Sequence, residues 1–281
     1  MLVNMNEMLH KAKDGGYAVA NFDVFNSEML RGVMEAAQEK SSPVILAYAE
    51  VFEPICPMEE FTPMLRAAAR RASVPVAVHL DHARKFETIQ KALDNGFTSV
   101  MLDASDLPLE ENIALTKKVA DLCRPLSVSV ESELGHVGGL EGYSYSGSES
   151  EIEEGYTVVS EAVRFVRETG ADALAVAIGT VHGVYRAAPK LNLKRLAALR
   201  SALDVPLVMH GGSGLSNDDF ISAVRLGITK TNIFTDLTIA AWRAMRESGS
   251  EYYFERCSAA VTAIKEEAFK KIDLFGSAGK A

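Results

Sequence analysis

Three histidines carry the most chemistry in this sequence. His82, His182 and His210 each stand at or just past the end of a short apolar run, in segments far apart along the chain. Neutral imidazoles ligate zinc, and three of them around an ion with one position left open form a catalytic zinc arrangement. A single histidine at such a place more often makes a structural hydrogen bond, but three that converge on one rim share no such explanation. Asp103 and Glu133 end two further runs. A carboxylate there either orients a ligating imidazole or offers oxygens to a second cation, and the sequence leaves both roles open. Asp81 directly precedes His82, which puts a carboxylate within reach of whatever His82 binds, the natural position for an acid and base. Strand alternation sends neighbours to opposite faces, so both can serve only if the strand ends near Leu80 and turns there. The alternative for Asp81 is to cap the helix that starts near Arg84.

Glycines follow two of the histidines: Gly183 after His182, and Gly211, Gly212, Ser213 and Gly214 after His210. Small residues let backbone N–H groups approach an anion, and the position suits a phosphate. Asn232, Ile233, Phe234 and Thr235 complete the same rim. The competing reading of the glycines is a tight turn.

These residues meet only if the chain closes on itself. Eight β-rich apolar runs, at 17–22, 43–49, 74–80, 99–104, 126–131, 173–179, 206–210 and 230–234, alternate with helical periodicity near 27–40, 58–72, 84–95, 109–123, 157–169, 192–202, 217–226 and 236–247. Eight strand–helix units predict an α/β fold, the (β/α)8 TIM barrel, whose active site gathers at the C-terminal ends of its strands. An extra C-terminal helix is expected near 258–275, with Val261, Ile264, Ala268 and Ile272 at helical spacing for packing on the barrel or on a neighbour. An open dinucleotide-binding sheet is disfavoured because no G-x-G-x-x-G follows the first strand. The reading is one domain over residues 1–281, with one enlarged loop, about 136–155, whose glycines, serines and glutamates have the composition of a flexible lid.

Composition narrows the partners. With 29 Lys and Arg against 38 Asp and Glu the net charge is −9, which disfavours nucleic acid and anionic membrane surfaces. The apolar runs are too short to cross a membrane. The first residues lack the basic patch and apolar block of a secretion signal, and Cys56, Cys123 and Cys257 show no CxxC spacing. A cytoplasmic protein with a small-molecule partner is expected.

The segments His79-Leu80-Asp81-His82, Val130-Glu131-Ser132-Glu133-Leu134-Gly135, the 177–183 stretch ending in His182-Gly183, His210-Gly211-Gly212-Ser213-Gly214 and Thr231-Asn232-Ile233-Phe234-Thr235 closely resemble the class II, metal-dependent ketose-bisphosphate aldolases. The resemblance runs almost end to end and is strongest to the fructose- and tagatose-bisphosphate branch. It implies one Zn2+ per subunit on His82, His182 and His210, and Asp81 exchanging a proton with the C4 hydroxyl as the C3–C4 bond of a ketose phosphate breaks. It further implies a proton-transferring Glu141 on the loop, in Gly138-Gly139-Leu140-Glu141. Gly183, Gly211, Gly212, Ser213 and residues 232–235 would hold the phosphate of dihydroxyacetone phosphate, with a monovalent cation beside them. A homo-oligomer is expected by the same analogy.

Departures from the family concern the far end of the substrate. Ala49, followed by Glu50, replaces the usual Ser or Thr, and Tyr252-Tyr253-Phe254 stands where relatives carry Asp-Pro-Arg with its phosphate-gripping arginine, the nearest here being Arg256. An apolar Phe254 and an acidic Glu50 would disfavour a second phosphate, so a ketose 1-phosphate competes with a bisphosphate as substrate. Three other functions compete. A Schiff-base aldolase would need Lys230, which by the strand limits above opens its strand away from the rim. A metal-dependent hydrolase and a non-catalytic sugar-phosphate sensor could use the same histidines.

Overall fold

Strands that are apolar on both faces need cover outside and filling inside, which a closed parallel barrel supplies. The computed structural model describes residues 1–144, 148–184 and 189–281, with the backbone alone at 140–144, 149 and 184. Its strands are β1 (Val19–Asp23), β2 (Val44–Ala49), β3 (Val76–Ala83), β4 (Ser99–Leu102), β5 (Ser129–Leu134), β6 (Gly139–Ser144), β7 (Ala173–Val176), β8 (His182–Val184), β9 (Leu207–Met209) and β10 (Ile228–Ile233). All but β6 and β8 close into a parallel barrel in the order β1-β10-β9-β7-β5-β4-β3-β2, while β6 and β8 pair separately. The helices are α1 (Met5–Gly15), α2 (Ser27–Glu39), α3 (Met58–Arg71), α4 (Phe86–Asp94), α5 (Leu109–Cys123), α6 (Glu149–Glu154), α7 (Val159–Thr169), α8 (Leu193–Ala202), α9 (Asn217–Arg225), α10 (Thr235–Glu247) and α11 (Tyr253–Leu274). The expected TIM barrel with an additional C-terminal helix is the observed architecture. On α11, Ile264, Ala268 and Ile272 are buried and the helix packs on α2 and α10, so it covers its own barrel.

Two buried clusters divide the strands by parity. Ala20, Phe22, Leu46, Val78 and Leu80 join the shell between strands and helices, whereas Val19, Ile45, Ala77, Ala173, Ala175 and Val208 fill the barrel floor. That floor is plugged by Met5, Met8, Leu9 and Ala12 of α1, a helix absent from the sequence reading. Its signals are visible: Asn4 caps it, accepting from the Asn6 amide at 2.7 Å, and the four apolar residues recur at helical spacing.

Three strand limits differ from expectation in ways that matter for the site. Pro125 starts a 3-10 turn over Arg124–Leu126, so β5 begins at Ser129 and extends to carry both Glu131 and Glu133. β10 starts at Ile228, which puts Lys230 within the strand and not at its opening. β3 runs on to Ala83 instead of ending near Leu80. The enlarged 136–155 segment is not featureless, since it contains β6 and α6.

Candidate active site

The Asp81–His82 problem is solved by a bulge. Along β3 and β4, His79 pairs with Ser99 and Leu80 with Val100, but the next pair is Ala83 with Leu102, so Asp81 and His82 together oppose Met101. His82 takes a φ of 46°, rare for a residue with a side chain. The extra residue returns His82 to the face that Asp81 already occupies. The expectation that the strand stops at Leu80 is thereby corrected, and so is the capping alternative for Asp81. Glu50, not Asp81, serves the start of α4, accepting from the Arg84 amide at 2.7 Å and the Thr88 hydroxyl at 2.9 Å.

His82, His182 and His210 converge as their strand positions require. One ring nitrogen from each lies within 4.8 Å of the others. His82 Nδ1 donates to Asp103 Oδ2 at 3.0 Å, and His210 Nε2 donates to Glu131 Oε1 at 2.9 Å. Each carboxylate fixes a tautomer and turns the other nitrogen inward, and those nitrogens, His82 Nε2 and His210 Nδ1, face each other at 2.8 Å. His82, Asp103 and Glu133 form a second group with potential ligand atoms within 4.8 Å.

The electrostatics favour a cation. Burial pulls the His82 pKa down, but the Asp81, Asp103 and Glu133 carboxylates outweigh it and hold the imidazole at about 10. Burial and the neighbouring imidazoles keep His182 neutral, far below its ordinary value, and His210 is lowered for the same reasons. Burial and the Asp103 charge push Glu133 up to about 8. Asp81 goes the other way: burial opposes ionisation, yet His82, His79 and Lys230 hold its carboxyl well below the usual range.

Below the rim lies a buried polar layer that the sequence reading missed. Lys230 is fully buried, with Nζ 3.0 Å from Glu131 and 2.7 Å from Asn232 Oδ1. Asn232 Nδ2 donates to both Asp81 oxygens, at 3.1 and 3.0 Å. His79 donates or accepts with Ser99 at 2.7 Å and lies 3.5 Å from Asp81. Burial raises the Glu131 pKa and Lys230 with His210 overrides it, leaving the carboxyl at about 2. The Glu131-x-Glu133 alternation was the available signal, because residues two apart on a strand share a face. Lys230 is thus engaged inside the barrel by Glu131 and Asn232.

The glycine segments meet beside the histidines. A Cβ on Gly211, whose φ is 63°, would lie 2.3 Å from the Val181 carbonyl, so only glycine lets these two loops touch. Gly212 lies against Thr231 and Phe220. Ser213 Oγ accepts from the Asp236 amide at 3.4 Å, tying the loop to the first turn of α10. The N-cap position of α10 is Phe234, whose ring cannot cap, and Thr235 opens the helix, the arrangement that receives an anion. Asn232 turns to Asp81 and Lys230, and the Ile233 side chain belongs to the outer shell.

With this geometry established, comparison with known proteins is decisive. The chain matches the family Fructose-bisphosphate aldolase class-II over residues 3–280. It belongs to that family. This class II aldolase is 43% identical over 281 residues to "Uncharacterized protein YdjI" of Escherichia coli K12, covering 100% of both chains. The crystal structure of the YdjI aldolase superposes with a TM-score of 0.90, at 41% identity and 100% coverage of each. A Staphylococcus aureus fructose-bisphosphate aldolase is 39% identical, over 100% of this chain and 99% of that one. A Bacillus licheniformis 6-phospho-5-dehydro-2-deoxy-D-gluconate aldolase is 38% identical, over 99% and 96%. The match carries the aldolase reading over the hydrolase and the sensor.

Other expected features of the aldolase fall outside the rim or outside the described residues. Glu141 lies in β6, and its side chain is outside the described residues. The backbone of β6 is joined to the histidine strand: Gly139 pairs with His182, whose amide donates to Gly138 O at 2.8 Å. Arg256 donates to Ser250 O at 2.7 Å and Met245 O at 3.2 Å, which occupies its guanidinium at the α10–α11 turn. Phe254 is 69% exposed, its ring tilted against Tyr252 at 6.1 Å between centroids. Phe25, Phe52 and Phe234 form an aromatic cluster where β1, β2 and β10 end. Among the described residues no helix is long and apolar enough to cross a membrane.

Proposed function

We propose that this aldolase cleaves and forms the C3–C4 bond of a ketose phosphate, with dihydroxyacetone phosphate and an aldehyde on the other side, and that it uses one zinc ion per subunit on His82, His182 and His210. The observation that carries the reading is the β3 bulge, which turns an ionised Asp81 and the imidazole of His82 to one face. The donor set suits zinc: three imidazoles, two with tautomers fixed by carboxylates, amid more anionic than cationic groups. When bound, zinc supplies Lewis-acid polarisation of substrate oxygens beside the breaking bond.

The chain's own residues supply the proton chemistry. Asp81, kept ionised and gripped by Asn232, takes the proton of the C4 hydroxyl as the C3–C4 pair leaves toward C3. Glu141, on a lid formed by about 136–155, returns a proton to C3, and in the condensing direction both transfers reverse. Asp103 orients His82, and Glu133 stands ready beside it. Gly183, Gly211, Gly212, Ser213, Thr235 and the backbone amides of the 232–235 segment take the phosphate, with a monovalent cation at the same rim.

The substrate's far end supports a second reading. Arg256 is held by backbone carbonyls, Glu50 by the start of α4, and the top of β1, β2 and β10 is aromatic, so no cation among these replaces the family's distal arginine. We favour a ketose 1-phosphate whose far end carries no second phosphate, and the name of the Bacillus licheniformis relative describes one phosphate and one acid group. A panel of ketose 1-phosphates and 1,6-bisphosphates, assayed for triose phosphate release with and without chelator, tests both points. A preference of a hundredfold or more for a bisphosphate rejects the 1-phosphate reading, and turnover indifferent to chelator rejects the zinc reading. The proposal also includes a single cytoplasmic domain in a homo-oligomer, supported by the exposed Trp242, Tyr252, Tyr253 and Phe254 on α10 and the start of α11.

A further inference from the structure

We propose that Lys271, on the outer C-terminal helix, is a positioning residue for the phosphate site: it holds the Gly211-Gly212-Ser213 loop and the first turn of α10 at a fixed separation. This rests on the phosphate reading above. Lys271 is 7% exposed, and its Nζ lies 2.5 Å from Asp236 Oδ2, 3.7 Å from Glu267 and 4.8 Å from the centre of the Phe220 ring. The contacts to Asp236 and Phe220 each lead to one wall of the cradle. Asp236 sits in the first turn of α10 and donates its amide to the Ser213 hydroxyl. Phe220 lies against Gly212, its Cε1 3.1 Å from where a Cβ would stand.

The charge arrangement explains why a cation is needed there. A carboxylate in the first turn of a helix is stabilised by the helix dipole, but its charge opposes a phosphate dianion received by the same amides. Lys271 offsets the Asp236 charge at this 2.5 Å contact. A buried ammonium persists only when well paired, so the tether is stiff and not a passing surface contact. The sequence offers no hint of the pair, since the two residues are far apart along the chain and lie on helices whose contact only the fold reveals.

The test compares the inhibition constant of inorganic phosphate with KM and kcat for the ketose phosphate in Lys271→Met, Lys271→Arg, Asp236→Asn and, as control, the exposed Lys270→Met. Lys271→Met is expected to raise both the phosphate inhibition constant and KM about tenfold, with kcat within about twofold, because misplacing a binding group by a fraction of an ångström weakens the bound state first. Lys271→Arg retains the wild-type constants, Asp236→Asn shows a smaller rise, and Lys270→Met shows none. Wild-type phosphate constants in both Lys271→Met and Asp236→Asn overturn the inference while leaving the phosphate site intact. A parallel fall in kcat and thermal stability without a KM effect also overturns it. If inorganic phosphate does not compete with substrate in the wild type, the phosphate site itself is wrong and the inference falls with it.

Discussion

Replacing Lys230 by Met tests whether the polar layer beneath the rim is built on charge. Lys230 is fully buried, and its ammonium makes contacts of 3.0 Å to Glu131 and 2.7 Å to Asn232. Removing one member of a buried ion pair leaves the other uncompensated, at a cost of roughly 3–5 kcal/mol. Since a domain's stability is about 5–15 kcal/mol in all, the variant should unfold at distinctly lower urea concentration. Two further effects follow from the geometry. Glu131 accepts from His210, and without Lys230 to hold that carboxylate in place zinc binding should weaken roughly 10- to 100-fold. Asn232, released from Lys230, would no longer hold Asp81, and kcat should fall with it. Adding Glu131→Gln to the variant removes the orphaned charge and should restore stability to within about 1–2 kcal/mol of wild type. Urea titration followed by fluorescence, with zinc affinity from competition with a chelating dye, reads both quantities. A loss below about 1 kcal/mol, the scale of an exposed ion pair, together with unchanged zinc affinity would refute the reasoning.

Three further outcomes are expected. Asp81→Asn should lower kcat by roughly 10²–10⁴ while zinc content stays at one per subunit, measured by steady-state kinetics and metal analysis; a kcat within tenfold of wild type would remove Asp81 as the base. Leu9→Ala, which hollows the floor filled by α1, should cost about 2–5 kcal/mol in urea unfolding yet leave kcat/KM within about twofold, since the plug lies at the end opposite the histidines. Gly211→Ala places a methyl against the Val181 carbonyl at a positive φ and should raise the KM for the phosphorylated substrate at least about tenfold, whereas an unchanged KM would mean the two loops can part freely.

Much of this fold is written in the alternation of apolar runs with helical stretches, because parallel strands covered on both faces must be continuously apolar. The metal-site candidates were legible for a related reason: barrel geometry fixes which ends of the strands meet, so His82, His182 and His210 could be brought together without any side-chain detail. What escaped is what alternation cannot express. The bulge at Asp81 and His82 depends on how β3 pairs with β4, and the residues of β3 alone do not encode it. The place of Lys230 depends on where β10 begins: Ile228 and Thr229 start it, which sets Lys230 within the strand and not at its opening. Helix α1 is marked by Asn4 and its apolar spacing, but it precedes the strand–helix repeat and no rule of alternation calls for it. Asn232 stands at the rim by position, and only the fold shows that its side-chain amide also holds Asp81.

The central claim is that three imidazoles share one zinc ion. X-ray absorption at the zinc edge of protein loaded with one equivalent measures it directly. Three nitrogen scatterers with imidazole signatures are expected at roughly 2.0–2.1 Å, with loss of one such ligand in His210→Ala. A shell of oxygens without imidazole, or an unchanged spectrum in that variant, would contradict it.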